Sequence, residues 1–141
     1  VVVYDFGCVK RIPVAVVDDV RVLLAATAVR DWAQLHAALD RLGGLADAVP
    51  LASVRPLYHD LDRLMIDPLA DPDGFDFADA GFIDALRARV RTHLGLSFRF
   101  KPVTDLLFVM RALSGQYWLL RSLGARVDLN AVLAEHAVRL R

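Results

Sequence analysis

Asp5, Phe6 and Gly7 close the run Val-Val-Val-Tyr at the front of the chain, and residues of these types in this order could do phosphate chemistry. Phosphate oxygens repel a bare carboxylate, so an aspartate here would act through Mg²⁺. The metal bridges phosphate oxygens and neutralises the charge that develops during transfer. The β-branched and aromatic run predicts a short buried strand, which would fix the carboxylate at the edge of a cleft. Gly7 permits a sharp departure of the backbone. As a tripeptide the pattern is weak, because an aspartate is also an ordinary turn residue at a strand end. Cys8 is either a redox-sensitive thiol or a small packing residue, and packing is the commoner role. Lys10 and Arg11 would attract an anion or form a solvated edge.

The elements that must position these residues are mostly helical. Residues 1–12 read as a strand or hairpin, with "CVKRI" as its return. Pro13 suits the first turn of a helix. Val16, Val17, Val20, Leu23, Leu24 and Ala28 fall at helical spacing, and the valines require tertiary burial to hold it. Asp31 predicts an N-cap for a second helix with Trp32, Leu35, Leu39 and Leu42 on one face, stopped by Gly43 and Gly44. The tight Arg30–Asp31 joint predicts an antiparallel pair. A third helix is expected over 56–66, and "DPDGFDFADAG" reads as a turn-rich loop. A fourth helix is expected over 80–94, with Phe82, Leu86, Val90 and His93 or Leu94 inward. "GLSFRFKP" reads as an extended connector. The strongest pattern spans 103–123, with Leu106, Met110, Leu113, Tyr117 and Leu120 on one face and Gly124 closing it. Phe108, Trp118 and Leu119 make a second apolar face; a helix apolar all round is expected to be buried, and the alternative is that this face borders a lipid or partner surface. Asp128 predicts the cap of a last helix burying Leu129, Val132, Leu133 and Leu140.

Other reactive residue types carry less. His36, His59, His93 and His136 show no metal-ligand spacing, and "HDLD" lacks converging ligands, so structural roles are expected. Ser114 lacks the glycine of a nucleophile elbow; with Gly115 it reads as a place where a neighbouring helix comes close. Arg111, in an apolar helix, reads as a buried clamp needing a carboxylate or carbonyl partner.

Asp-Phe-Gly after an apolar strand is one signature of kinases. A protein kinase continues into an activation loop and Ala-Pro-Glu, whereas here a helix pattern follows directly after Pro13 and no Ala-Pro-Glu appears. The chain instead resembles the AarF/UbiB/ADCK family of atypical kinase-like proteins. "VVVYDFGCVKRIP" is similar to that family's Asp-Phe-Gly strand and exit, and "RDWAQLHAALDRLGGL" to the helix that follows. "GFDFADAGF" is similar to its Phe-Asp-Phe loop. "FKPVTDLLFVMRALSGQYWLLRSLGARVDL" is similar to its late helix with a Leu-Gly-Ala-Arg end.

The resemblance implies the C-lobe portion of a kinase-like fold, with 1–141 as one partial domain and 13–141 as its helical subdomain. It implies Mg²⁺ and ATP as cofactors, with Asp5 as metal ligand and Asp5, Phe6 and Gly7 at the nucleotide. It implies ATPase or small-molecule kinase activity in support of ubiquinone biosynthesis. The nucleotide-binding lobe, with its lysine, Ala-rich loop and Lys-x-Gly-Gln extension, and the Asp-Pro-x-x-Gly-Asn loop would precede Val1. "DPDG" at 71–74 lacks that loop's asparagine and reads as a surface turn. Partners implied are ATP or ADP, the preceding lobe, and a membrane surface or quinone-biosynthesis proteins. A fragment with one metal ligand is not expected to turn over ATP alone. The alternative is a non-catalytic helical interaction module or a degenerate kinase relic. A small-molecule phosphotransferase of the aminoglycoside or choline type fits Phe6-Gly7 less well.

Composition sets outer limits. The 141 residues suit one domain, and 56% are apolar, which predicts a packed core. Seventeen basic residues balance seventeen acidic ones, so no global field draws nucleic acid. The lone Cys8 excludes an intrachain disulfide and fits a reducing compartment. No signal peptide or membrane-length apolar run is seen. A cytoplasmic location, peripheral to the inner membrane, is the expectation.

Overall fold

In a computed structural model the described residues are 10–69 and 71–135. The predicted strand with Asp5, Phe6, Gly7 and Cys8 lies outside them, as do His136 and Leu140. Lys10 to Ile12, expected as the return strand of a hairpin, have no regular structure.

Pro13 forms the N-cap of α1, Val14–Ala28. Its ring fixes φ at −57°, suited to entry, and its carbonyl accepts the amides of Val16 and Val17. Arg30 turns the corner at φ +58°. The Asp31 carboxylate then caps α2, Trp32–Arg41, by accepting the Gln34 amide at 3.0 Å. Gly43, at φ +71°, ends α2 in a conformation other residues adopt at a cost. Arg41 near the end of α2 reaches Asp19 near the start of α1 at 2.6 Å, so the two helices run antiparallel, as the tight joint predicts.

α3, Leu51–Leu61, begins five residues before the sequence pattern suggested, with Pro50 as its cap. Pro56 lies inside it rather than at its start. A proline removes one helical amide, yet here Val54 and Tyr58 bury on both sides of it and hold the helix. The helix passes into a π-helical turn, Asp62–Ile66, and a final α-turn, Asp67–Leu69. The core lies among these first three helices: Ala26, Trp32, Leu35, Val54 and Tyr58, with Val49, Leu51 and Phe100 against it. Full burial of a valine such as Val54 contributes about 1.5–3 kcal/mol.

The segment expected to be only a loop contains β1, Phe75–Asp76, which pairs antiparallel with β2, Arg126–Val127. Phe75 opposes Val127 and Asp76 opposes Arg126. This two-residue ladder leaves no local signal, because so short a strand has no periodicity and its partner is distant.

α4 spans Ala80–Thr92, with the Asp79 carboxylate accepting the Gly81 amide at 2.8 Å. Its expected inward face is only partly covered: Phe82 and Leu86 are half-buried, but Val90 and Leu94 are exposed. The expected extended connector holds a short helix, α5, Leu94–Ser97. Phe100 then bridges to Leu45 as an isolated antiparallel pair. A 3₁₀ turn, Thr104–Leu106, leads into α6, Leu107–Ser122. α6 buries no residue fully, contrary to the expectation from its apolar pattern. Met110 is 61% and Leu113 58% exposed, and Phe108, Trp118 and Leu119 are exposed as well. Gly124 closes it at φ +59°. Asp128 caps α7, Leu129–Ala134, by accepting the Ala131 amide at 2.9 Å. Val132, expected inside, is exposed. The described chain is thus mainly helical with one small antiparallel ladder.

Candidate functional site

Lys10 is the first described residue after the Asp-Phe-Gly motif. Its ammonium donates to the Asp105 carboxylate at 2.8 Å and contacts the Thr104 carbonyl at 3.5 Å. The exit of the motif is thereby tied to the entry of α6. A groove of about 510 Å³ opens there, lined by Lys10, Ile12, Phe108, Val109, Arg111 and Ala112. Arg111 is exposed and has no ion pair among the described residues, so it is not the buried clamp the sequence suggested. The side chain simply lies on the uncovered side of α6. Asp105 balances Lys10, which leaves Arg111 as the uncompensated cation of this groove. Such a cation is suited to an anionic group, phosphate included. Gly115 does not mark a close helix approach either: a Cβ there would meet nothing within 4 Å.

The Phe-Asp-Phe loop and the Leu-Gly-Ala-Arg end meet. Besides the β1–β2 ladder, the Phe77 amide donates to the Ala125 carbonyl at 3.0 Å. Arg126 donates to Asp76 at 2.9 Å and to the Gly74 carbonyl at 3.3 Å. Phe75 packs edge-on against Phe77 and Phe82, and Phe77 lies beside Tyr117. Arg121 sits 5.6 Å over the Trp118 ring. A depression of about 360 Å³ beside this cluster carries Asp71, Asp76 and Asp79. Each of these carboxylates already accepts a backbone amide, from Asp73, Ala78 and Gly81 respectively. They are turn and cap residues. "DPDG" is a turn, as expected, closed by the Gly74 amide on the Asp71 carbonyl at 3.0 Å.

The histidines take structural positions. The Val49 carbonyl accepts from His36 Nε2 at 3.0 Å, so Nε2 carries the proton. His36 Nδ1 then accepts from the Tyr58 hydroxyl at 2.8 Å. Burial pushes the Tyr58 hydroxyl up to about 12. His59 packs edge-on against Trp32. The aspartate of "HDLD" that matters to a histidine is Asp60. It accepts from His93 Nε2 at 2.9 Å, across to the end of α4, and from Arg89 at 3.3 Å. The His93 hydrogen bond, aided by the charge of Arg89, holds the Asp60 carboxyl below its ordinary range.

Sequence reasoning missed Arg30 and Asp62. Asp62 is buried, 7% exposed, at the first position of the π-turn. Arg30 Nε donates to its Oδ2 at 2.7 Å, while Arg30 Nη2 donates to Asp67 at 2.7 Å. The hydrogen bond and charge of Asp62 push the Arg30 guanidinium further up. Among the described residues Asp62 Oδ1 is buried with no hydrogen-bond partner. The only available signal was "HDLD", in which residues two apart on a helix face different ways.

Among the described residues no three His, Cys, Asp or Glu side chains converge to hold a metal ion, and no helix is long and apolar enough to cross a membrane. No protein-family model, curated protein or solved structure matches the chain significantly.

Proposed function

We propose that this chain is the helical part of a kinase-like ATP-binding protein of the AarF/UbiB/ADCK type. In this reading Asp5 holds Mg²⁺ against the phosphates of ATP, with Phe6 and Gly7 beside the nucleotide. The activity is ATP hydrolysis or small-molecule phosphorylation in support of ubiquinone biosynthesis, at the cytoplasmic face of a membrane. The observation that carries the reading is the path after the motif. The chain runs from Lys10, tied to Asp105, straight into α1 at Val14, leaving no activation loop between. The pairing of the Phe-Asp-Phe loop with the Leu-Gly-Ala-Arg end supports it, because two segments singled out by the resemblance act as one unit.

Magnesium commonly takes one or two carboxylates and completes its shell with phosphate oxygens and water. A single Asp5 with the nucleotide's own oxygens is compatible with that donor set, and further ligands would come from the lobe that the resemblance implies. When bound, the ion neutralises charge on the phosphates. Lys10 keeps the exit of the motif against α6, and Arg111 offers a positive charge at the neighbouring groove.

The test is Mg²⁺-dependent binding of a fluorescent ATP analogue by the full-length native gene product. Asp5→Asn should weaken binding at least about tenfold, the equivalent of 1.4 kcal/mol, with an unchanged melting temperature. Undiminished binding in the variant would remove Asp5 from the metal site.

A second reading, a helical interaction module, is favoured by one observation: the apolar residues of α6 stand in solvent. Wild-type full-length protein that binds no nucleotide with or without Mg²⁺ would favour it.

A further inference from the structure

We propose that the exposed face of α3 binds a small phosphate monoester carrying an apolar group, through Arg55 and His59. This site is separate from the nucleotide reading and does not rest on it. A groove of about 510 Å³ lies on this face, within the roughly 300–1,000 Å³ typical of small-molecule sites. Leu51, Ala52, Arg55, Pro56 and His59 line it. Arg55 and His59 are its only polar side chains and both are exposed, so both are presented to whatever enters.

Charge, spacing and lining point to the same ligand. Among the described residues Arg55 forms no ion pair and His59 no hydrogen bond. The acids nearest in sequence are engaged elsewhere: Asp47 with Lys101, Asp60 with Arg89 and His93, Asp62 with Arg30. The positive charge of Arg55 therefore stands uncompensated and calls for an anion. Arg55 and His59 sit one turn apart on one face of α3, which sets their Cβ atoms about 5–6 Å from each other. The two oxygens of a carboxylate fill the Arg55 fork alone. A tetrahedral phosphate can meet that fork and keep an oxygen for the His59 N–H. The His59 ring is held by Trp32, whose centroid lies 5.2 Å away in an edge-on contact. Leu51, Ala52 and Pro56 add no polar side chain, and the groove is larger than a bare phosphate, so the lining favours an ester with an apolar substituent.

Isothermal titration calorimetry of the full-length protein with phenyl phosphate, inorganic phosphate and benzoate tests this. Phenyl phosphate should bind at one site, about tenfold or more tighter than either of the others. Arg55→Gln should weaken it about tenfold or more with an unchanged melting temperature, because the side chain is exposed. His59→Phe keeps an aromatic edge against Trp32 and removes the N–H, and should weaken phenyl phosphate as well. Binding undiminished in Arg55→Gln, or no binding of phenyl phosphate at all, would overturn the site. Binding undiminished in His59→Phe, or equal affinity for benzoate, would overturn the phosphate assignment. Equal affinity for inorganic phosphate would overturn the apolar substituent.

Discussion

At the scale of single residues, two charged pairs hold the helices to one another, and their chemistry differs. Asp60 joins α3 to α4 through His93 and Arg89, with Arg63 adding positive charge nearby. Its folded-state pKa lies below the ordinary 3.8, so its contribution to stability is full above that value and is lost as pH falls through the folded one. Asp60→Asn should therefore melt lower than wild type at neutral pH and show a shallower loss of melting temperature on acidification. An equal or steeper acid loss in the variant would show that this carboxylate is not linked to folding. Arg30 combines a useful side chain with an unfavourable backbone. Arg30→Gly removes the pair with Asp62 but relieves the left-handed φ, whereas Arg30→Ala removes the pair and keeps most of the strain. Both should lower the melting temperature, with Ala lower than Gly. The reverse order would mean that the corner is not strained.

At the scale of elements, local rules set the helix ends. Asp31, Asp79 and Asp128 each accept a backbone amide at a helix start. The first and last of these were legible as caps, because Asp is favoured there and a periodic apolar run follows. Elsewhere the local signal misled. Proline placed the start of α3 at 56, yet the burial of Val54 carried the helix back to Leu51. The β1–β2 ladder depends on a glycine. Gly74 lies at φ +84°, and a Cβ there would meet the Val127 carbonyl carbon at 3.1 Å. Gly74→Ala should thus cost more than the roughly 0.4–1 kcal/mol that such a change gives when the backbone suits it, and with the opposite sign. Denaturant unfolding monitored by circular dichroism measures it; a neutral effect would mean that the loop re-forms without the ladder.

At the scale of the whole molecule, the core is concentrated in α1 to α3, and α6 remains largely outside it. Exposed Leu107, Phe108, Met110, Leu113, Trp118 and Leu119 make far more apolar surface than scattered surface residues require. The isolated chain should self-associate through this surface. Met110→Glu should lower its weight-average mass in sedimentation equilibrium while changing stability by only about 0.5 kcal/mol or less. A large stability loss would place Met110 in a core instead.

The sequence by itself determined the helical class, the α1–α2 hairpin, the caps at Asp31 and Asp128 and the stops at Gly43 and Gly124. Each follows from periodicity, a capping carboxylate or a glycine's freedom, all of which act within a few residues. It also supplied the Asp5-Phe6-Gly7 motif, on which the functional reading rests. Only the tertiary structure decided which apolar faces are covered, because a stripe such as Met110 and Leu113 has the same pattern whether or not anything packs on it. Tertiary structure alone also paired Phe75 with Val127, set Lys10 on Asp105 and buried Asp62 beside Arg30. Those contacts join residues 32 to 95 positions apart in sequence, where no local rule reaches and only the closing of the chain chooses the partner.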